Sequence, residues 1–378
     1  MSVWEDVVGQ ERAVGVLRAA AADQGAMTHA WLITGPPGSG RSNAARAFAA
    51  ALQCDRDGCG HCQACTTALR GTHADVTVVA TEKVTIKIDD VRELIGLAQR
   101  APSQGRWRVI IVEDADRMAE RTSNVLLKAI EEPPPRTVWL LCAPSPQDGV
   151  VTIRSRCRGV GLRIPPVADV AALLVSRDGA DPEVADLAAR AAQSHIGLAR
   201  RLARDPDARR RRAQVLTLGA SIRGVGDAVL AAADLVEVAG AEAKAATGDR
   251  DAAEKSALLH TLGAEAGKTL PPSLRAQVRQ LEEDQKRRAT RAQRDVLDRS
   301  LLDLLSLYRD VLVVQLGADV DLVNVAQEPD VTRLAAGSSP EQTVRRMDAI
   351  GEARTRLAGN VAPLLAMEAM AVALRPQG

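Results

Sequence analysis

A chain of 378 residues is too long for one typical hydrophobic core and sets an expectation of two or three domains. With 49 basic against 48 acidic side chains the formal charge is +1, which excludes a strongly polyanion-coating protein while leaving room for a local basic patch. No basic segment followed by an apolar core opens the chain and no stretch reaches membrane-spanning length, so a cytoplasmic protein without membrane contact is expected.

One Phe and one Tyr beside abundant Ala, Leu, Val and Arg require cores of aliphatic helices and strands, a usage that a GC-rich genome also produces. Residues 4–10 precede an amphipathic helix in which Ala13, Val16, Leu17 and Ala20 recur three and four apart. Residues 30–34 are an apolar run of strand length. Gly35-Pro36-Pro37-Gly38-Ser39-Gly40-Arg41-Ser42 follows, and then an alanine-rich, helix-prone stretch.

Strand, glycine-rich loop and helix in that order predict a phosphate-binding loop. In such a loop backbone N–H groups cradle phosphates, a lysine reaches the β and γ oxygens, and a Ser or Thr hydroxyl binds Mg²⁺. Gly35, Gly38, Gly40 and Ser42 are in place, but Arg41 stands where the pattern has lysine. Its planar fork is bulkier than an ammonium and is not an interchangeable point charge, so ordinary hydrolysis is not expected here. Backbone cradling survives the loss of lysine, so binding of a nucleotide without turnover stays open.

Cys54, Cys59, Cys62 and Cys65 form a Cys-x4-Cys-x2-Cys-x2-Cys cluster that takes four of the six cysteines. In a cytosolic chain such spacing points to metal before disulfide. Four thiolates fit tetrahedral Zn²⁺, and Gly58 and Gly60 allow the tight bend around it. His61 is an alternative ligand, though a histidine between two ligand cysteines more often points outward. Four protein ligands leave no position for water, so the site is expected to be structural. The remaining Cys142 and Cys157 are expected to be small buried hydrophobes.

A strand is predicted over 76–80 and a helix over 88–97, with Asp89 and Asp90 at its start. Residues 106–112 predict a buried strand ending in Glu113 and Asp114, the shape of an element whose carboxylates bind Mg²⁺ and polarise water. The usual order is Asp then Glu. Here it is reversed, and acids that merely enter a solvated loop are the plainer alternative. A helix over 123–132 stops at Pro133-Pro134-Pro135, and 138–142 is a further short apolar strand of the kind a parallel sheet buries on both faces.

Arg154, Arg156 and Arg158 make a basic patch, read either as a solvated loop or as an arginine presented to a phosphate. Pro165-Pro166 breaks the chain, and helical patterns at 170–174, 182–192 and 195–202 suit a small lid. The run from Arg209 to Arg212 is expected on a solvated face, with nucleic acid or an acidic partner as the alternative. Leu297, Leu301, Leu304, Tyr308 and Val311 recur as one seam of a long helix between Pro272 and Gly317, to be packed within the domain or against another subunit. Further helices are predicted from Pro340 and over 361–374.

Several of these pieces together resemble the clamp-loader AAA+ ATPases of bacteria, and within that family the delta prime type of subunit. The specific ones are Val8-Gly9-Gln10, His29-Ala30-Trp31-Leu32, the cysteine cluster, Leu126-Leu127-Lys128-Ala129-Ile130-Glu131-Glu132-Pro133-Pro134, and Ser155-Arg156-Cys157. The resemblance is strong over residues 4–158. It implies an α/β AAA+ domain with a parallel sheet and an inserted zinc module over 1–164, a helical lid domain over 165–208, and an all-α collar domain for oligomerisation over 209–378. It also implies an open ring with gamma/tau and delta subunits that acts, through the complex, on a sliding clamp and primed DNA within a nucleoid-associated replisome. ATP and Mg²⁺ would sit at subunit interfaces.

By that resemblance Arg156 matches an arginine finger that completes a neighbour's site in trans, and Arg200 lies, more weakly matched, where the family has its sensor 2 arginine. The departures are Arg41, the Glu113-Asp114 order, and Ala143-Pro144 where a sensor 1 Thr pair is usual. Together they imply a subunit that supplies a finger and does not fire its own site. An ATP-hydrolysing gamma/tau-type motor is the alternative, and a zinc-dependent nucleic-acid reader is disfavoured by near-neutral charge and few aromatics.

Overall fold

A computed structural model describes residues 2–23, 25–79, 86–147, 151–261 and 272–376. The chain divides into two compact units, Met1–Arg204 and Asp205–Gly378. The break falls four residues before the expected 208/209 boundary, and the lid helices are grouped with the sheet.

In the first unit five strands, β1 (Ala30–Thr34), β2 (Val76–Val79), β3 (Arg108–Val112), β4 (Thr137–Ala143) and β5 (Arg158–Gly161), form one sheet in the order β2-β3-β4-β1-β5. All four pairings are parallel. Strands β1, β3 and β4 are buried along their whole length, as their unbroken apolar sequences require when both faces are covered. Alternate residues serve opposite faces. Trp31, Ile33, Ile111 and Leu140 pack with α1 (Glu11–Ala22), α2 (Arg41–Gln53) and α3 (Gln63–Arg70), while Leu32, Ile110, Trp139 and Leu141 pack with α4 (Ile88–Ala98) and α5 (Glu120–Glu131). Ala80, predicted to end the second strand, lies outside the described residues.

The short α6 (Val151–Arg154) leads into β5, a strand where the sequence suggests only an arginine-rich patch. Arg158-Gly159-Val160-Gly161 has a single buried side chain and lies at the sheet's edge beside β1, so it has no apolar run to announce it. The lid comprises α7 (Val167–Asp178), α8 (Pro182–Ala191) and α9 (Ile196–Arg204). Asp181 accepts from the backbone N–H groups of Glu183 and Val184, with Pro182 at the first helical position, and so fixes where α8 begins.

The second unit is all helical among its described residues: α10 (Pro206–Ser221), α11 (Val225–Thr261), α12 (Pro272–Leu316), α13 (Glu328–Ala336), α14 (Pro340–Ala358) and α15 (Pro363–Leu374), with a single 3₁₀ turn before α13. The predicted seam is its centre: Leu297, Leu301, Leu304, Tyr308 and Val311 are all buried, against neighbours within the unit. Ser339 and Gln342 form a reciprocal capping box at the start of α14. The arginine run is less solvated than expected. Arg212 pairs with Asp303 at 2.7 Å and also donates to Asn324, and Arg211 reaches Glu242 at 3.1 Å, so two of its four cations tie helices together.

Candidate functional site

The register brings three strand ends to one edge of the sheet. Thr34 lies beside Ala143 and Val112 beside Leu141, so Gly35, Ala143 and Glu113 leave the sheet together, and the Gly35 N–H donates to the Ala143 carbonyl at 3.3 Å. This is the carboxyl end of a parallel sheet near the point where strand order reverses, the usual place for a ligand in such folds. Gly38 and Gly40 have φ of 85° and 88°. A Cβ on Gly38 would stand 2.6 to 2.7 Å from the Cα, Cβ and Cγ of His195, so only glycine lets the lid rest directly on the loop.

The charged groups of this edge are spent on the protein itself. Arg41 Nη1 donates back to the Gly35 carbonyl at the start of its own loop. Arg46, one turn further along α2, binds one oxygen of Glu113 through Nε at 3.1 Å and Nη2 at 2.9 Å. Asp114 faces Arg117 at 3.9 Å. Ser42 opens α2 directly after Arg41. Burial, then the nearby Glu113, pushes the Cys142 thiol up to about 12, so it stays protonated as the expected small hydrophobe. At this edge the Arg41 cation is thus folded onto its own loop, the first carboxylate is paired with Arg46, and Ala143 carries no polar group.

Three residues that shape this edge were assigned no role at it by the sequence, although Gln10 lies in the Val8-Gly9-Gln10 stretch that carries the resemblance. Gln10 joins the N-terminal segment to the far end of the domain, its Nε2 donating to the Arg163 carbonyl at 2.6 Å and its Oε1 accepting from Arg163 N at 3.1 Å. His195 caps α9 by accepting from the Leu198 N–H at 3.2 Å, and burial, helped by the Arg41 charge, lowers its pKa. Arg46 is the third. At this edge Gln10 meets Arg163, His195 meets Gly38 and Arg46 meets Glu113, each far away along the chain, where spacing rules say nothing.

Arg200 turns away from the loop. Its Nη2 lies 2.9 Å from Asp178, a buried carboxylate at the end of α7 that Arg177 also reaches at 3.1 Å. His195 and Ile196, rather than Arg200, are the lid residues that meet the loop glycines.

Arg156 sits at the other end of the sheet. Arg158 is in register with Trp31, four residues before Gly35, which at ~3.3 Å per residue puts it about 13 Å from the loop, with Arg156 two residues further back along the chain. Arg156 Nε pairs with Glu131 at the end of α5, and Nη1 donates to the Thr152 carbonyl at 2.8 Å and to Ser155 Oγ at 3.2 Å. The side chain keeps 37% of its surface exposed.

The four cysteines converge at the far end of α2. Their sulfurs all lie within 4.8 Å of one another, with Cys54 3.8 Å from both Cys59 and Cys62. Zn–S bonds of ~2.3 Å at tetrahedral angles require S–S edges of ~3.8 Å, so two edges match this ion and the rest lie within about 1 Å of what it needs. Burial opposes ionising Cys54, but N–H donors at Cys59 and Arg56 outweigh it and lower its pKa, and the His61 N–H brings Cys59 down to about 6. Burial raises Cys65. His61 is exposed, its Nδ1 2.8 Å from the Cys59 carbonyl, and stands outside the cluster. The knuckle is pinned by the Val3 N–H to the Gly58 carbonyl at 2.9 Å, where a Cβ on Gly58 would meet Val3 at 2.5 Å. Thirteen residues of α2 separate it from the loop, about 20 Å at 1.5 Å per residue.

Residues 9–166 match the protein family described as DNA polymerase III, delta subunit. A DNA polymerase III subunit gamma/tau of Mycobacterium tuberculosis is 35% identical over 176 residues, 45% of this chain and 30% of the relative. A DNA polymerase III subunit delta' of Pseudomonas aeruginosa is 38% identical over 135 residues, 34% of this chain and 41% of the relative. The chain therefore spans less than half the length of either. A gamma subunit-related protein of Thermotoga maritima aligns over 97% of this chain and 98% of its own at 16% identity, with a TM-score of 0.43.

Proposed function

We propose that this chain, whose residues 9–166 match the DNA polymerase III delta subunit family and resemble delta' and gamma/tau subunits, is a bacterial clamp-loader protein of the AAA+ type and, among these, a delta prime subunit: a ring member that does not hydrolyse ATP but lends Arg156 to a neighbour. The observation that carries this reading is the contrast between two arginines. Arg41 is turned onto its own loop, whereas Arg156 lies exposed at the opposite end of the sheet, out of reach of that loop.

In this reading the guanidinium acts on a phosphate bound by another subunit. There it stabilises the charge that develops on the transferring phosphoryl group, an effect worth roughly 10³ to 10⁵ in rate for such fingers. The partners of this reading are gamma/tau and delta subunits, and through the assembled loader a sliding clamp and primed DNA, in the cytoplasm at the replisome. Among the described residues no helix is long and apolar enough to cross a membrane. Cys54, Cys59, Cys62 and Cys65 would hold a Zn²⁺ whose closed tetrahedron braces the end of α2 and takes no part in chemistry.

A second reading, an ATP-hydrolysing gamma/tau-type motor, is favoured by the 35% identity to a gamma/tau subunit. Turnover separates the two. The isolated chain is expected to release no phosphate from ATP above background. Arg156→Ala in the reconstituted loader is expected to cut DNA-dependent ATPase at the interface it serves by on the order of 10³. Unimpaired ATPase in that variant would remove the finger, and turnover by the isolated chain would restore the motor reading.

A further inference from the structure

Glu131, at the end of α5, is the one carboxylate that meets the Arg156 guanidinium among the described residues, and it takes the Nε edge. The Thr152 carbonyl and Ser155 Oγ take Nη1, at 2.8 and 3.2 Å. A guanidinium has five N–H donors. Three of them are thus directed to Glu131, Thr152 and Ser155, leaving the two on Nη2 for a ligand. We propose that Glu131 is a positioning residue for Arg156: it fixes the guanidinium plane so that Nη2 is presented outward to the neighbouring subunit's phosphate. The inference rests on the finger reading above and adds the group that aims the finger.

The physical case is one of preorganisation. An unrestrained arginine gives up rotamer freedom when it is fixed. At a half-exposed site one ion pair contributes little to stability, so its value lies in geometry rather than in holding the fold. The contacts come from two elements: Thr152 and Ser155 belong to the α6 turn that carries Arg156, whereas Glu131 ends the helix packed beside it. Only Glu131 therefore ties the finger's direction to the body of the domain. A finger set before the neighbour docks meets the developing charge with no reorganisation at the moment of reaction.

The test is a double-mutant cycle in the reconstituted loader, reading kcat and KM for DNA-dependent ATPase with thermal unfolding of the free chain as a control. Glu131→Ala is expected to lower kcat about tenfold with KM unchanged, since the loss falls in the transition state. Glu131→Gln, which keeps an oxygen acceptor for Nε–H, should recover about a third or more of that loss. In an Arg156→Ala background both substitutions should have no further effect. If Arg156→Ala alone leaves ATPase intact, the finger reading itself fails. If it cuts ATPase while Glu131→Ala does not, or while Glu131→Ala raises it, or lowers it equally in the Arg156→Ala background, the finger stands and the positioning role of Glu131 is overturned.

Discussion

Arg46 grips a single oxygen of Glu113 with both Nε and Nη2, bridging from the second turn of α2 to the end of β3. The two side chains are 30% and 16% exposed, so the pair is only partly screened. Removing the cation leaves a mostly buried carboxylate without its counter-charge. Arg46→Ala is expected to cost about 1 kcal/mol after allowing for solvent screening, read as a lower urea midpoint with an unchanged slope. Glu113→Gln should cost less, because the amide oxygen still accepts from the guanidinium. A larger loss in Glu113→Gln than in Arg46→Ala would contradict the pairing.

The same pair limits what can be done by repairing the loop. Arg41→Lys restores the side chain that phosphate-binding loops use, but Glu113 remains held by Arg46 and Ala143 still offers no polar group. Phosphate release from ATP by the isolated Arg41→Lys chain is therefore expected to stay at background. Turnover in that single variant would show that Arg41 alone had closed the site.

How much of this could be read from the chain follows from the range of the interactions. The loop, the cysteine knuckle and the strand ends are built by residues within a few positions of one another, so spacing announced them, and the seam from Leu297 to Val311 was legible through its helical period. Arg46 meets Glu113 across 67 positions and Gln10 meets Arg163 across 153, and no local pattern encodes such pairs. The sequence marks His195 only as the start of a lid helix; its place over Gly38 depends on how the lid docks. The arginine run suggested a solvated face, yet Arg212 finds Asp303 in the fold 91 positions away.

Metal content tests the cysteine cluster directly. One Zn²⁺ per chain is expected by elemental analysis, and stripping it should lower the melting temperature of the first unit, because the knuckle joins the end of α2 to the start of α3 and to the Val3 segment. Cys65→Ser removes a fully buried ligand and should retain the ion weakly if at all, whereas His61→Ala, which alters an exposed ring outside the cluster, should retain it. Loss of zinc in His61→Ala would return that histidine to the ligand set.

Acid stability turns on Asp75. Its carboxylate is completely buried and accepts from the N–H groups of Ser103, Gln104 and Gly105 at 2.8, 2.7 and 2.6 Å and from Ser103 Oγ at 3.0 Å, with Arg108 Nη2 3.0 Å away. Burial alone would raise its pKa, but the donors outweigh it and bring the group down to about 2. In the unfolded chain the same group ionises near 3.9, so its contribution of about 2 kcal/mol is complete above that value and is lost as pH falls toward 2. Asp75→Asn should destabilise the protein at pH 7 by about 3 kcal/mol, since Arg108 keeps a buried charge without its partner. The gap between wild type and variant should then narrow as pH falls from about 4 to 2. Urea unfolding at a series of pH values measures it, and a gap that stays constant over that window would show that Asp75 is not the titrating group.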